Sequence, residues 1–585
     1  MLYIICATVF IVCSSWADDM LLPTALAGNG DIVYIANENG KSVFVYDLGT
    51  RIVSARVSLP SAPTGLALSG QTLYVTGGLP SGVLYTIDTA SMKITATTAL
   101  PSGACAPRVV GTTLVVCNRY AGSLSFIDIA TGKERKRISV GREPVATAVS
   151  GGVLYVAQHL PDMPANAASV HSVITTVDIE RGVVTGTIAL PNGSTALRDI
   201  TAAPDGSIIA VHNVARFDLP TTQIERGWMN TAALTVLKPG AANTYATVML
   251  DDPESGAANP YAVALSPSGK TIFVAHAGTH EVSIIDRGRM TAKLEAMNRT
   301  ALSYDLTFMR GIRQRIALGV NGPRSILVTK RGVITAGYFS DALALIGNIN
   351  STPSVNILPL RDTVTLTDSR RGEMYFNDAK LCLQNWQSCS SCHPDGRVDA
   401  LNWDLMNDGM GNPKNARSLL NSFRRSPVMS HGIRASADVA VRSGIRFILF
   451  TVQPEPVAEA MDAYLKAMES DPSPYLVNGK LSAKALRGKT LFESPGVGCT
   501  ACHTGPLFTD LKLHDVGTMG PYDSEGTFVT PTFIELWRTA PYFHDGRYST
   551  VKEVITVGNK EGKRGKTAQL TPAEIDDLVE YLLSL

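Results

Sequence analysis

The chain has 585 residues, and its 52 Lys and Arg are balanced by 51 Asp and Glu, for a formal net charge of +1. That balance gives a nucleic-acid partner no electrostatic support and sets that class aside. Nine cysteines are present; two lie in the first 13 residues and four in two Cys-x-x-Cys-His motifs near the C-terminus.

The chain opens on an apolar run from Leu2 to Val12, followed by Ser15-Trp16-Ala17 in small-x-small spacing. This predicts a secretory signal over residues 1–17, cleaved after Ala17. The run is shorter than the ~20 residues that a membrane span needs. The expectation is a mature chain without a transmembrane segment, located in the periplasm, secreted or at the cell surface.

From Asp31 to Leu360 apolar segments recur, each followed by a turn and an apolar strand ending near Asp. YIANENGKSVFVYD at Tyr34, YVTGGLPSGVLYTID at Tyr74, VVCNRYAGSLSFID at Val115 and FVAHAGTHEVSIID at Phe273 are four copies, and others start near Tyr155, Ile209 and Ile334. A period of ~40 residues with about four strands per unit predicts an all-β propeller of seven blades, here residues 18–362. The repeats resemble the YVTN-type propellers of secreted bacterial proteins. Cys105 and Cys117 fall in neighbouring strand-like segments, where a disulfide and two free thiols are both open, whereas Cys382 is expected as a buried thiol. His159, His212, His276 and His280 sit near strand ends without ligand spacing and are expected to be scattered, solvated and without a role.

Past Leu360 the pattern becomes helical, as in VAEAMDAYLKAM and PAEIDDLVEYLLSL, the latter with Thr571 as N-cap and Pro572 in the first turn. Two halves, residues 363–480 and 481–585, match. Arg371-Gly372, Phe376 and Cys389-Ser-Ser-Cys392-His393 answer to Arg487-Gly488, Phe492 and Cys499-Thr-Ala-Cys502-His503; PVMSHGIR at Pro427 answers to PYFHDGR at Pro541. Two thiols on one helical turn add across the two vinyl groups of a haem, and the next residue, His, faces the iron. Cys-x-x-Cys-His is therefore the attachment site of c-type haem. A zinc half-site would want further Cys or His nearby, and a thioredoxin-like site a βαβ context. Fold class is thus multidomain: a seven-bladed propeller followed by a mainly α di-haem cytochrome c module of two cytochrome c-like domains.

RGKTLFE, CTACHTGPLFTD, HDVG and TAPYFHDGR stand in the order found in the di-haem cytochrome c peroxidase and MauG family, which residues 365–585 resemble. The resemblance implies two covalently bound haems c, held by Cys389, Cys392, Cys499 and Cys502, with His393 and His503 as proximal iron ligands. It also implies calcium between the haem domains, bound by the Asn415 side chain and the carbonyls of Thr539 and Pro541, hard oxygen donors suited to that cation. Asn415 as a plain helix cap is the competing reading.

Departures from the family pattern bear on mechanism. Gly558 stands fourteen residues after His544, where the peroxidases carry a Met ligand to the second haem; Lys560, Lys563, Met519 and His514 are the substitutes nearby. Ser430 and His431 replace the family's inter-haem tryptophan motif, leaving Trp386 and Trp403 for a hopping role or plain burial. A peroxide pocket needs an acid–base group, and Glu455 is expected to supply it, with Glu459 the alternative. The loop from Pro394 to Leu420 has no histidine to block the first haem.

The expected function is reduction of hydrogen peroxide at the first haem. Electrons come through the second haem from a cytochrome c, a cupredoxin or a side chain of a protein substrate. A di-haem carrier with a docking propeller is the alternative, and a homodimer stays open.

Overall fold

In a computed structural model the described residues are 20–585 without 80, 221–228, 240–244, 298, 363–364 and 407–410; the expected signal segment lies outside them. Seven antiparallel four-stranded sheets follow one another: Pro23–Ser58, Pro63–Leu100, Ala104–Ser139, Pro144–Ala189, Ser194–Met249, Pro260–Ala317 and Pro323–Pro359. Each repeated segment is the second strand of its blade with the third behind it, so the sequence period is the blade period.

Five blades begin their innermost strand with proline, at Pro23, Pro63, Pro144, Pro260 and Pro323, and in each the pairing register slips directly after it. Proline has no N–H for the ladder, so it is tolerated at a strand's first residue, where a bulge absorbs the break. The blades are held face to face by apolar clusters, one between each neighbouring pair. The cluster that closes the ring brings Ile35 and Phe44 of the first blade against Ile334 and Leu343 of the seventh. The sixth blade carries a helix, α1 (Arg287–Ala296), between its third and fourth strands.

The histidine expectation is overturned. His159, His212, His276 and His280 are buried. His212 lies 2.8 Å from the Thr235 hydroxyl, and His276 lies 2.8 Å from both the Ala257 carbonyl and the Ser283 hydroxyl. His212 lies inside its strand, Ile208–Ala215, and the other three at strand ends or turns that pack against neighbouring blades or the haem module, so all four positions exclude water. Cys105 and Cys117 stand opposite each other on paired strands but are free thiols, with the Cys105 sulfur turned to the Pro144 carbonyl. Cys382 is a free, buried thiol.

The rest of the chain forms α2 (Asp368–Asn377), α3 (Cys389–Cys392), α4 (Ala437–Phe447), α5 (Glu455–Ala467), α6 (Ala483–Glu493), α7 (Val551–Ile555) and α8 (Pro572–Leu583). The matching residues of the two halves do matching work. A Cβ at Gly372 would collide with the Ala460 carbonyl of α5, and one at Gly488 with the Asp577 carbonyl of α8, so each glycine lets its helix pair cross closely. Phe376 then packs on Tyr464 at 5.3 Å between centroids, and Phe492 on Tyr581 at 5.4 Å. Thr571 caps α8 with Pro572 in its first turn. No helix among the described residues is long and apolar enough to cross a membrane.

Candidate haem-binding site

Ser388 and Ser391 form a capping box on α3, which fixes the turn that carries Cys389 and Cys392. The His393 Nδ1 lies 3.0 Å from the Arg397 carbonyl, and the His503 Nδ1 lies 2.8 Å from the Phe508 carbonyl. A carbonyl only accepts, so both imidazoles carry their proton on Nδ1 and keep the Nε2 lone pair for a metal, the arrangement that orients a ligating histidine. Burial lowers the pKa of both, that of His503 to about 4, which keeps them in the neutral form that ligates.

Each motif opens on its own cavity. One of about 680 Å³ is lined by Cys389, Cys392, His393, Trp403, Phe447 and Met461; the other, of about 360 Å³, is lined by Cys499, Cys502, His503, Tyr542, Phe543 and Leu578. Both are within the range of cofactor sites. They share a wall formed by Asn415–Ser418, Arg425, Ser430, Val529 and Thr530. Two arginines of that wall have no carboxylate partner among the described residues. Arg417 makes no side-chain hydrogen bond there, and Arg425 donates only to the carbonyls of Ser418, Leu420 and Asn421. Burial lowers both, Arg425 to about 10. On the second cavity, Arg564 stacks over Phe543 at 4.4 Å and leaves Nε and Nη1 buried without partners. Half-buried guanidinium groups without a carboxylate partner among the described residues fit the propionates of a haem, so the residues present fit the group. Cys502, Asp510 and His514 also have donor atoms within 4.8 Å of one another, but that cation site competes with thioether attachment at Cys502.

Asn415, Thr539 and Pro541 all line the second cavity. The Asn415 amide donates to the Leu401 carbonyl at 3.3 Å and to the Asn402 Oδ1 at 3.1 Å. Its backbone N–H donates to the His544 carbonyl at 2.7 Å, a bond that joins the two halves beside the shared wall. The helix-cap reading fails, because Asn415 lies in a short strand, Lys414–Asn415, and not at a helix end.

Glu455 is not brought to the first cavity. It stands in the first turn of α5, exposed, paired with Arg442, because the helix turns that face outward. Glu459 is exposed on the same helix. No carboxylate lines the first cavity among the described residues; besides His393, its imidazole is His431. His431 sits 3.0 Å from the Thr527 carbonyl and 3.5 Å from Asp523, and its ring packs tilted against Phe528. Trp403 lines the first cavity with its indole N–H on Asp399 at 2.8 Å, while Trp386 is buried behind Cys389; neither forms the shared wall. Gly558 faces Tyr548 and Phe543, which leave no room for a side chain. Of the substitutes, His514 and Lys563 line the second cavity, and Met519 and Lys560 are exposed.

The propeller contributes residues that the sequence did not point to. Asn230 donates to the Cys392 sulfur at 3.3 Å, and Asn259 meets the hydroxyls of Ser388, Ser390 and Ser391. Arg119 pairs with Asp395 at 2.7 Å, two residues after His393. A lone Asn or Arg in a blade loop carries no pattern; only the closed ring and the docked module make it part of this site.

Fold and site together define a propeller joined to a two-motif c-type haem module. No family model matches the chain. Hydrazine synthase subunit gamma of Kuenenia stuttgartiensis is 32% identical over 272 residues, spanning 37% of this chain and 77% of that protein. Subunit beta of the same organism is 30% identical over 185 residues, 30% of this chain and 47% of that protein, and the methylamine utilization protein MauG of Methylophilus methylotrophus is 24% identical over 283 residues, 39% and 84%. A solved structure of Kuenenia stuttgartiensis hydrazine synthase aligns over 61% of this chain and 100% of its own, with TM-score 0.49 and 22% identity. The chain belongs to the family that joins di-haem cytochrome c peroxidases, MauG and hydrazine synthase subunit gamma, here fused to a seven-bladed propeller.

Proposed function

We propose that the protein is an exported di-haem c-type oxidoreductase that reduces hydrogen peroxide at the first cavity with electrons relayed through the second. The observation that carries this reading is the pair of cavities, each with a neutral, Nδ1-anchored histidine, separated by one shared wall. Haem iron supplies one-electron exchange when bound. The residues supply the rest: His393 and His503 hold the iron, and Arg417 and Arg425 hold anionic groups at the wall. His431, oriented through Nδ1 by the Thr527 carbonyl, exchanges protons at Nε2 in the first cavity in place of Glu455. In the overall reaction one O–O bond breaks, two electrons and two protons are taken up and two waters leave. Electrons come from a small redox protein, a cytochrome c or a cupredoxin, or from a side chain of a protein substrate. Asn415 with the carbonyls of Thr539 and Pro541 holds calcium. The apolar N-terminal run and covalent haem attachment support export to the periplasm or cell surface.

One observation favours a second reading. The first cavity has no carboxylate among the described residues, and two relatives are hydrazine synthase subunits. An inorganic nitrogen compound would then replace peroxide as the substrate. Stopped-flow mixing of the haem-loaded protein with peroxide, and separately with hydrazine, decides: a fast spectral change with peroxide alone supports the first reading, and one with hydrazine alone overturns it.

A further inference from the structure

The two proximal histidines are joined by a short bridge through buried charges. The His393 Nδ1 donates to the Arg397 carbonyl at 3.0 Å. The Arg397 guanidinium makes a bidentate pair with Glu535, Nε to Oε2 at 2.6 Å and Nη2 to Oε1 at 2.7 Å, with side chains 8% and 1% exposed. Glu535 belongs to the second half of the haem module and follows Phe533 by two residues. The Phe533 ring stacks on His503, with centroids 3.8 Å apart and planes at 21°. The bridge thus runs from one imidazole to the other through one ion pair and three residues of backbone.

We propose that the Arg397–Glu535 pair couples the two haem sites, so that reduction at one motif alters the midpoint potential at the other. The inference rests on the di-haem reading and names positioning residues for it. A bidentate buried pair fixes the relative position of the two groups far better than an exposed one, because neither partner has water as an alternative. A gain or loss of one charge beside His393 changes how strongly its N–H pulls on the Arg397 carbonyl. The guanidinium on the same residue is held by Glu535, so the change reaches the backbone that carries Phe533.

Two further features support a link that is more than a clasp. Asp395 and Glu535 both have left-handed backbone, φ 56° and 57°, a conformation that non-glycine residues keep only where the surroundings hold it. The same pair also collects the segment between the halves: the Asp471 N–H donates to Glu535 at 2.6 Å, and Arg397 donates to the Glu469 carbonyl at 3.1 Å. Asp395, whose carbonyl accepts from Arg397 at 3.1 Å, is gripped in turn by Arg119 of the propeller.

Spectroelectrochemical titration of the full-length, haem-loaded protein tests the coupling, with haem stoichiometry measured on each preparation. Glu535→Gln leaves Arg397 uncompensated, favours the ferrous state and is expected to raise both midpoints; Arg397→Gln is expected to lower both. The double variant Arg397→Gln/Glu535→Gln restores net charge without the bridge and guards against a single variant that fails to fold. In it the dependence of one midpoint on the redox state of the other is expected to shrink. Two bound haems with wild-type interdependence in the double variant would overturn the coupling and leave the di-haem reading standing. Fewer than two haems in the wild-type protein would defeat the reading and the coupling with it.

Discussion

His431 and His544, equivalent residues of the two matching motifs, meet at one carboxylate and one ring. His544 lies 2.8 Å from Asp523 and His431 3.5 Å from it; the His544 ring stacks on Phe528 at 4.0 Å between centroids, and the His431 ring packs tilted against it at 4.6 Å. Lys414 reaches the same carboxylate at 2.9 Å. A duplicated motif has thus become a contact between its own copies, built around Asp523.

Asp523→Asn should therefore loosen the two halves. Burial raises the Asp523 pKa, but Lys414, the Gly520 N–H and His544 outweigh it and hold the carboxyl well below its usual range. A depressed carboxylate contributes stability above its unfolded pKa of about 3.9 and loses it as pH falls through the folded value. The substitution is expected to cost about 3–5 kcal/mol near neutral pH, the usual cost of removing one partner from a buried charge cluster, and less in acid. Thermal melting of the haem-loaded protein at two pH values checks this; equal losses at both would contradict it.

Covalent attachment predicts a simple stoichiometry. Replacing Cys499 and Cys502 together with Ala should remove half of the haem that survives denaturing electrophoresis. Full retention would show that the second motif holds no haem. His503→Gly should keep the haem attached but change its spectrum and potential, because the axial ligand sets the electronics of the iron.

Much of this arrangement was legible in the sequence. The blade period, the seven copies and the paired motifs are local patterns repeated along the chain, and Gly372 and Gly488 show why the Arg-Gly steps match: each marks a helix crossing. The contacts between modules were not legible. Asn230 approaches Cys392 across 162 positions of sequence and Arg397 approaches Glu535 across 138, and no spacing rule reaches that far. Glu455 was misplaced because a helix periodicity tells which residues share a face but not which neighbour that face meets.

The two acid–base candidates separate by mutation. Glu455→Gln should leave peroxide turnover within about twofold and cost at most ~1 kcal/mol, since its pair with Arg442 is exposed. His431→Ala should slow the peroxide step by roughly 10²–10⁴-fold, the usual worth of a positioned acid–base group. Steady-state turnover of both variants, with haem content measured, is the check; a large loss in the Glu455 variant alone would return the role to α5.

Calcium should support the contact between the halves. If Asn415, Thr539 and Pro541 hold it, prolonged chelation should lower the melting temperature, because a ligand that binds only the folded state stabilises it. Added calcium should restore the loss. Asn415→Ala should abolish the response to calcium while keeping both haems. Unchanged melting after chelation, with no calcium found by elemental analysis, would remove the site.

The oxidised protein should react with peroxide without prior reduction. A first haem that needs reductive activation would carry a side-chain ligand, such as a histidine, that must first be expelled. The loop from Pro394 to Leu420 contains no histidine. His431, the one imidazole besides His393 on the first cavity among the described residues, is held by the Thr527 carbonyl, lies near Asp523 and packs tilted against Phe528. Leaving that site to bind iron would cost it the Thr527 hydrogen bond and the ring contact, so it is held away from a ligating role. Mixing the fully oxidised protein with peroxide in a stopped-flow spectrometer should give an immediate spectral change, equal in rate to that of a half-reduced sample. A change that appears only after one electron is added would show that a side chain does block the first haem, and His431→Gly would then identify it by removing the lag.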